Sequence, residues 1–137
     1  MYGSQVWGQS LQTVIDKISV LQRKAVRIMS FSQFTEHSNP LFKELKILKV
    51  QDNIFLQNCL FVHDFFHNNL PKSFNNIFTK ASDTHSSLTR HANNGNIALP
   101  SFNSTNYGLK SIHKLCIDAW NKMISEQKLI DINKKNT

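Results

Sequence analysis

Residues 50–69 read VQDNIFLQNCLFVHDFFHNN, the most hydrophobic stretch of the chain. Val50, Ile54, Phe55, Leu56, Cys59, Leu60, Phe61, Val62, Phe65 and Phe66 cover much of a helical wheel. A helix that is apolar around most of its circumference belongs at the centre of a bundle. The fold is therefore expected to be mostly α, a small irregular helical bundle. Asparagines and Pro71 in NNLPKSF close this helix, and SFNNIF adds one or two further turns.

Upstream, SLQTVIDKISVLQRKAVRIMS (residues 10–30) places Leu11, Val14, Ile15, Ile18, Leu21, Ala25, Ile28 and Met29 at the 3–4 spacing of a helix with one buried face. Ser10 is the expected N-cap, because its hydroxyl can accept from an orphan amide of the first turn. Lys17, Arg23, Lys24 and Arg27 group largely opposite the apolar stripe. Charges so placed suit either a polyanion or plain solvation. FSQFTEHSNP then breaks the pattern, and Ser38 or Asn39 leads through Pro40 into a short helix, PLFKELKIL. Phe31 and Phe34, apolar for a loop, are expected to fold back onto the core.

Residues 79–106 change to Ser, Thr, Asn, Gly and His and are expected to form a long polar loop with short extended pieces at NIALP. Loops of this length without regular structure of their own are usually functional or disordered. A last helix is expected from Leu109, Ile112, Leu115, Cys116, Ala119, Trp120 and Met123, followed by a basic, Asn-rich tail, residues 124–137, that frays. The size prior for 137 residues gives a single helical domain.

The formal charge of +7 is unevenly spread. Lys and Arg number seven against three Asp and Glu in residues 1–50, three against three in 51–100, and six against three in 101–137. Basic ends around a neutral middle favour a polyanion, either nucleic acid or an acidic membrane surface. No apolar run approaches the ~20 residues of a membrane span, and the N-terminus lacks a signal-peptide pattern. The expectation is an intracellular, non-secreted protein with no membrane partner. Cys59 and Cys116 lie in apolar helical contexts without CxxC spacing, as reduced core thiols do.

Little in the chain suggests catalysis. The six aspartates, at 16, 52, 64, 83, 118 and 131, never form a DD or DxD pair, which removes the simplest basis for two-metal chemistry. Only four glycines are present, in neither a phosphate loop nor a GxSxG elbow. His63 and His67 share a helical face beside Asp64, but the glutamate of HExxH is missing and no third ligand is indicated. Local hydrogen bonding is the plainer use of these imidazoles. The residues call for no catalytic group, metal, cofactor or small-molecule substrate. In THSSLTRHANN, His85, Arg90 and His91 sit among hydroxyls and amides of the kind that contact phosphate, or that simply solvate a loop.

The order of several pieces resembles a known family. YGSQVWG, LQRKAVRIMSFSQFTEHSNPLFKELKILKVQDN, FHNNLPKSFNNIF, LTRHANN and TNYGLKSIHKLCIDAWNKM are similar to the region that follows the catalytic core in jockey-like LINE (non-LTR retrotransposon) reverse transcriptases, over residues 2–123. The resemblance implies a helical thumb and connection region of an RNA-directed DNA polymerase, which helps hold template and product. It gives Lys17, Arg23, Lys24 and Arg27 a phosphate backbone as partner and matches Arg90 to the family's Thr-Arg position. It also implies that Met1 is an internal methionine and that Tyr2, Gly3, Trp7 and Gly8 lead from the catalytic portion into the basic helix, as an anchored or helical segment.

Two departures stand out. The aromatic-Ala-Asp-Asp motif of polymerisation is absent, so a non-catalytic fragment is expected. Trp120-Asn121 is followed by Lys122-Met123 where the family has Leu-Pro, so the helix is free to run on. The functional expectation is nonspecific binding of RNA or DNA. Its alternative is a helical interaction module that self-associates or binds a partner protein.

Overall fold

The computed structural model describes residues 3–84, 89, 95–101 and 111–135, with side chains through 127. The chain is mostly helical: α1 Ser4–Trp7, α2 Gln12–Met29, α3 Ser38–Glu44, α4 Val50–Phe66, a 3-10 turn Lys72–Phe74, α5 Ala81–Thr84 and α6 Ile112–Lys135. It divides into two compact units, Met1–Leu56 and Gln57–Thr137. The apolar length of α4 serves both, residues 50–56 in the first and 57–66 in the second.

In the first unit, Val26 of α2 packs with Leu41 and Phe42 of α3, and Leu45 and Ile47 close over them. The side-chain amide of Gln22 does two jobs. Its Nε2 donates to Leu48 O at 2.8 Å, and its Oε1 accepts from Val50 N at 2.9 Å. An orphan amide at the start of α4 is thus capped from α2 rather than from its own loop. Gly8 follows α1, and a Cβ there would collide with the Ser4 carbonyl and press on the Ile54 side chain. Residues 3–8 are anchored as well as helical, with the Ser4 side chain fully buried; Met1 and Tyr2 lie outside the described residues.

Three helices stop without glycine. Phe31, Lys46 and Asn68 take positive φ of 50°, 53° and 56° just past α2, α3 and α4. Each stop repeats one pattern: Phe31 N to Ile28 O and Ser32 N to Arg27 O, Lys46 N to Lys43 O and Ile47 N to Phe42 O, Asn68 N to Phe65 O and Asn69 N to Asp64 O. These pairs satisfy last-turn carbonyls as a Schellman motif does.

The burial pattern of α2 corrects the sequence expectation. Of the expected stripe, Ile15 is buried but Leu11, Val14, Leu21, Ile28 and Met29 are exposed, and Val26, outside the stripe, is the helix's other buried residue. Val26 is buried because it packs on Leu41 and Phe42 of α3. Phe31 and Phe34 do not fold back onto the core; they are 98% and 75% exposed. Helix α2 begins at Gln12 with Leu11 in the cap position and no side-chain capping bond, so Ser10 is not the cap.

The second unit is denser in aromatics. Val62, Phe78, Ile97, Cys116 and Ile117 form its buried centre, with Phe61, Phe65, Phe66, Ile77, Ile112 and Trp120 against them. Phe78 meets Phe61 and Phe65 edge-on at 6.0 and 5.2 Å, and Phe61 meets Phe74 at 5.7 Å, geometries that suit ring quadrupoles. Ile97 reaches this centre from the polar segment. Lys80 and Ile97 form an antiparallel bridge, flanked by Ala81 N to Asn96 O at 3.0 Å and Ala98 N to Thr79 O at 2.9 Å. Asn121 then completes the pairing: its Oδ1 accepts from Ile97 N at 2.9 Å and its Nδ2 donates to Ile97 O at 3.1 Å. The expected loop over 79–106 thus holds one turn of helix and an extended piece; its residues 85–88, 90–94 and 102–106 lie outside the described ones.

Helix α6 runs on past Trp120-Asn121 through Lys135. No proline or glycine interrupts that run, and i,i+4 pairs support it, Lys114 Nζ to Asp118 Oδ2 at 2.6 Å and Lys122 Nζ to Glu126 Oε1 at 3.8 Å. Among the described residues, no helix is long and apolar enough to cross a membrane.

Candidate nucleic-acid interface

Three of the four cations expected on α2 meet in one place. Arg23, Lys24 and Arg27 line a cleft of about 370 Å³ in the first unit, facing Phe34, His37, Ser38 and Asn39. The helical repeat brings Arg23 and Arg27 to one face, and the loop that follows α2 together with the start of α3 supplies the rest of the lining. Lys17 is exposed and is not part of this lining. Arg90 lies outside the described residues.

Arg27 fixes the cleft. Its Nε donates to the Glu36 carbonyl at 2.8 Å, and its guanidinium carbon stands 5.9 Å from the centroid of the Phe34 ring. Both contacts tie the loop to the last turn of the helix, leaving the terminal guanidinium nitrogens to offer further donors.

The basic surface extends beyond the residues expected from sequence. Arg23 and Asn39 also border a neighbouring cleft with Lys49, and Asn39, Phe42 and Lys49 border a third with Lys43 and Lys46. A tract of six cations, Lys24, Arg27, Arg23, Lys49, Lys46 and Lys43, is therefore linked through shared walls around Asn39, with Asp16 and Asp52 as its acidic neighbours. The sequence did carry a signal for the added lysines, a three-residue spacing in KELKILK. Among the described residues, the ion pairs all lie in the second unit, at His63–Asp64, Lys114–Asp118 and Lys122–Glu126. Among the described residues the first unit's cations thus form no ion pair, so a phosphate meets them without displacing a carboxylate.

Other candidate groups do not converge. The imidazoles of His63 and His67 stack at 4.0 Å with 23° between planes, and His67 Nδ1 lies 2.8 Å from His63 O. Parallel rings engaged in this way do not aim two lone pairs at one ion. Among the described residues, no group of three or more His, Cys, Asp or Glu side chains could hold a metal. Cys59 and Cys116 are free and buried. Burial, with Cys59 nearby as a smaller cause, pushes the Cys116 thiol up to about 12, and burial also raises Cys59. Neither is an activated nucleophile. Burial lowers the His113 pKa, opposed by a hydrogen bond with the backbone of Ile77.

Comparison with family models, curated proteins and solved structures gave no match.

Proposed function

We propose that this chain is a non-catalytic helical module that binds RNA or DNA through the phosphate backbone, related to the post-catalytic region of a LINE-type reverse transcriptase. The observation that carries the binding role is the cleft where Arg23, Lys24 and Arg27 converge, continued by Lys43, Lys46 and Lys49. Cations held at one surface without carboxylate partners release counterions from a nucleic acid on contact, so binding weakens steeply as salt rises. Backbone recognition of this kind carries no base sequence, and the module is nonspecific. The kinship rests on the ordered motifs of residues 2–123. A fluorescence titration with labelled oligonucleotides at two ionic strengths tests the binding role: affinity at low salt that falls at higher salt supports it, and no binding at low salt removes it.

A second reading has its own observation. Leu11, Val14, Leu21, Ile28 and Met29 are exposed along α2, a surface suited to a second copy or a partner protein. Light scattering separates the two. A concentration-dependent dimer lost on Leu21→Lys supports association, and a monomer at high concentration opposes it.

A further inference from the structure

We infer that the loop after α2 gives the basic cleft a base-stacking platform, so that its partner is single-stranded nucleic acid. This rests on the backbone-binding role proposed above and narrows it. Phe34 lines the cleft that holds Arg23, Lys24 and Arg27, yet is 75% exposed. Phe31, three residues earlier on the same loop, is 98% exposed. Neither ring contributes to the core, so their burial does not explain them.

The backbone sharpens the point at Phe31. Its φ of 50° is a conformation that glycine adopts at least cost, and the two hydrogen bonds closing α2 involve only main-chain atoms. The helix stop therefore has no use for the ring. At Phe34 the Arg27 guanidinium stands over the aromatic system at 5.9 Å, while the Arg27 Nε bond to Glu36 O holds that arrangement in place. An oriented, exposed ring beside fixed cations is the combination that proteins use for single strands, with charge following the backbone and the aromatic taking a base face. A duplex keeps its bases stacked on one another, so such a ring has nothing to stack on. An apolar protein partner would take the rings but leave the cations of the same cleft facing it unpaired; the charge favours the polyanion.

The test compares a 20-nucleotide oligo-dT with a 20-base-pair duplex, both labelled, at low salt with the full chain. The unaltered protein is expected to bind the single strand more tightly. Phe34→Ala is expected to weaken single-strand binding about tenfold and leave duplex binding within about twofold, with a smaller loss for Phe31→Ala. Phe34→Trp should keep the preference, and unchanged helical circular dichroism should show that the variants fold. Equal loss for both oligonucleotides, or no loss for either, overturns the stacking role while leaving backbone binding intact. Loss of self-association on Phe34→Ala, with oligonucleotide affinity unchanged, overturns it in favour of a protein partner. If the unaltered chain binds neither oligonucleotide, the backbone-binding role itself fails.

Discussion

The two units use similar residue types to opposite ends. In Gln57–Thr137, phenylalanines turn inward around Phe78 and the ion pairs are internal, on α4 and α6. In Met1–Leu56, Phe31 and Phe34 turn outward and the cations of α2 and α3 line open clefts. Burial of apolar area is the main source of stability available to a small chain, whereas exposed rings and unpaired charges stabilise nothing by themselves. The aromatic burial thus lies in the second unit, and the proposed binding surface lies on the first.

The heaviest blow to stability should come from the second unit. Ile117 is fully buried in its centre, and Ile117→Ala is expected to cost about 3 kcal/mol in urea unfolding. A cost below about 1 kcal/mol would mean that this cluster is not where the chain is held together. Next comes Asn121→Ala, which leaves the N–H and C=O of buried Ile97 without their partners and should cost about 2 kcal/mol. Asn121→Asp sets a carboxylate oxygen against the Ile97 carbonyl in place of a donor and should cost at least as much. In the first unit Gln22→Ala removes both bonds that join α2 to the start of α4, in a half-buried place, for about 1 kcal/mol. Phe31→Gly should reverse the sign, stabilising the chain by about 0.5 kcal/mol by relieving the positive φ. Loss of stability there would show that the exposed ring supports the fold after all.

Acid should have the smallest effect. Burial holds the folded-state pKa of His113 below its usual 6.5, so the unfolded chain takes up a proton first as pH falls. Stability should therefore decline as pH drops below about 6.5 and level off below the folded pKa; His113→Gln should flatten that slope. At the other extreme, Cys116 stays protonated in the fold up to about 12, so stability should fall as pH climbs above the ordinary thiol value near 9.

Helices were readable from sequence because 3–4 spacing of apolar residues survives any arrangement of neighbours, and α2, α3, α4 and α6 appear where that spacing predicts them. Which stripe would be buried was not readable. On α2, Ile15 of the expected stripe is buried, but Val26 was chosen by contacts from α3, distant in sequence. The ends of α2 and α4 fall at the polar breaks the sequence marks, but the positive φ that closes α2 and α3 at Phe31 and Lys46 was not readable, since glycine is its usual marker. An extended piece was readable at NIALP, but not that Ile97 would be core; that comes from its bridge with Lys80 and from Asn121, 24 positions on. Of the expected site, Arg23, Lys24 and Arg27 are brought together. The wall that completes their cleft comes from a loop whose aromatics seemed destined for the interior.

The most direct measurement is the salt dependence of oligo-dT binding by the full chain and by an Arg23→Ala/Lys24→Ala/Lys49→Ala variant. None of these three side chains has an ion-pair partner among the described residues, so the variant should unfold within about 0.5 kcal/mol of the parent. The variant should bind more weakly at every salt concentration, with a log–log slope shallower by about 0.7 for each phosphate contact removed. An unchanged affinity and slope would place any nucleic-acid contact elsewhere on the chain and contradict the assignment of binding to the first unit.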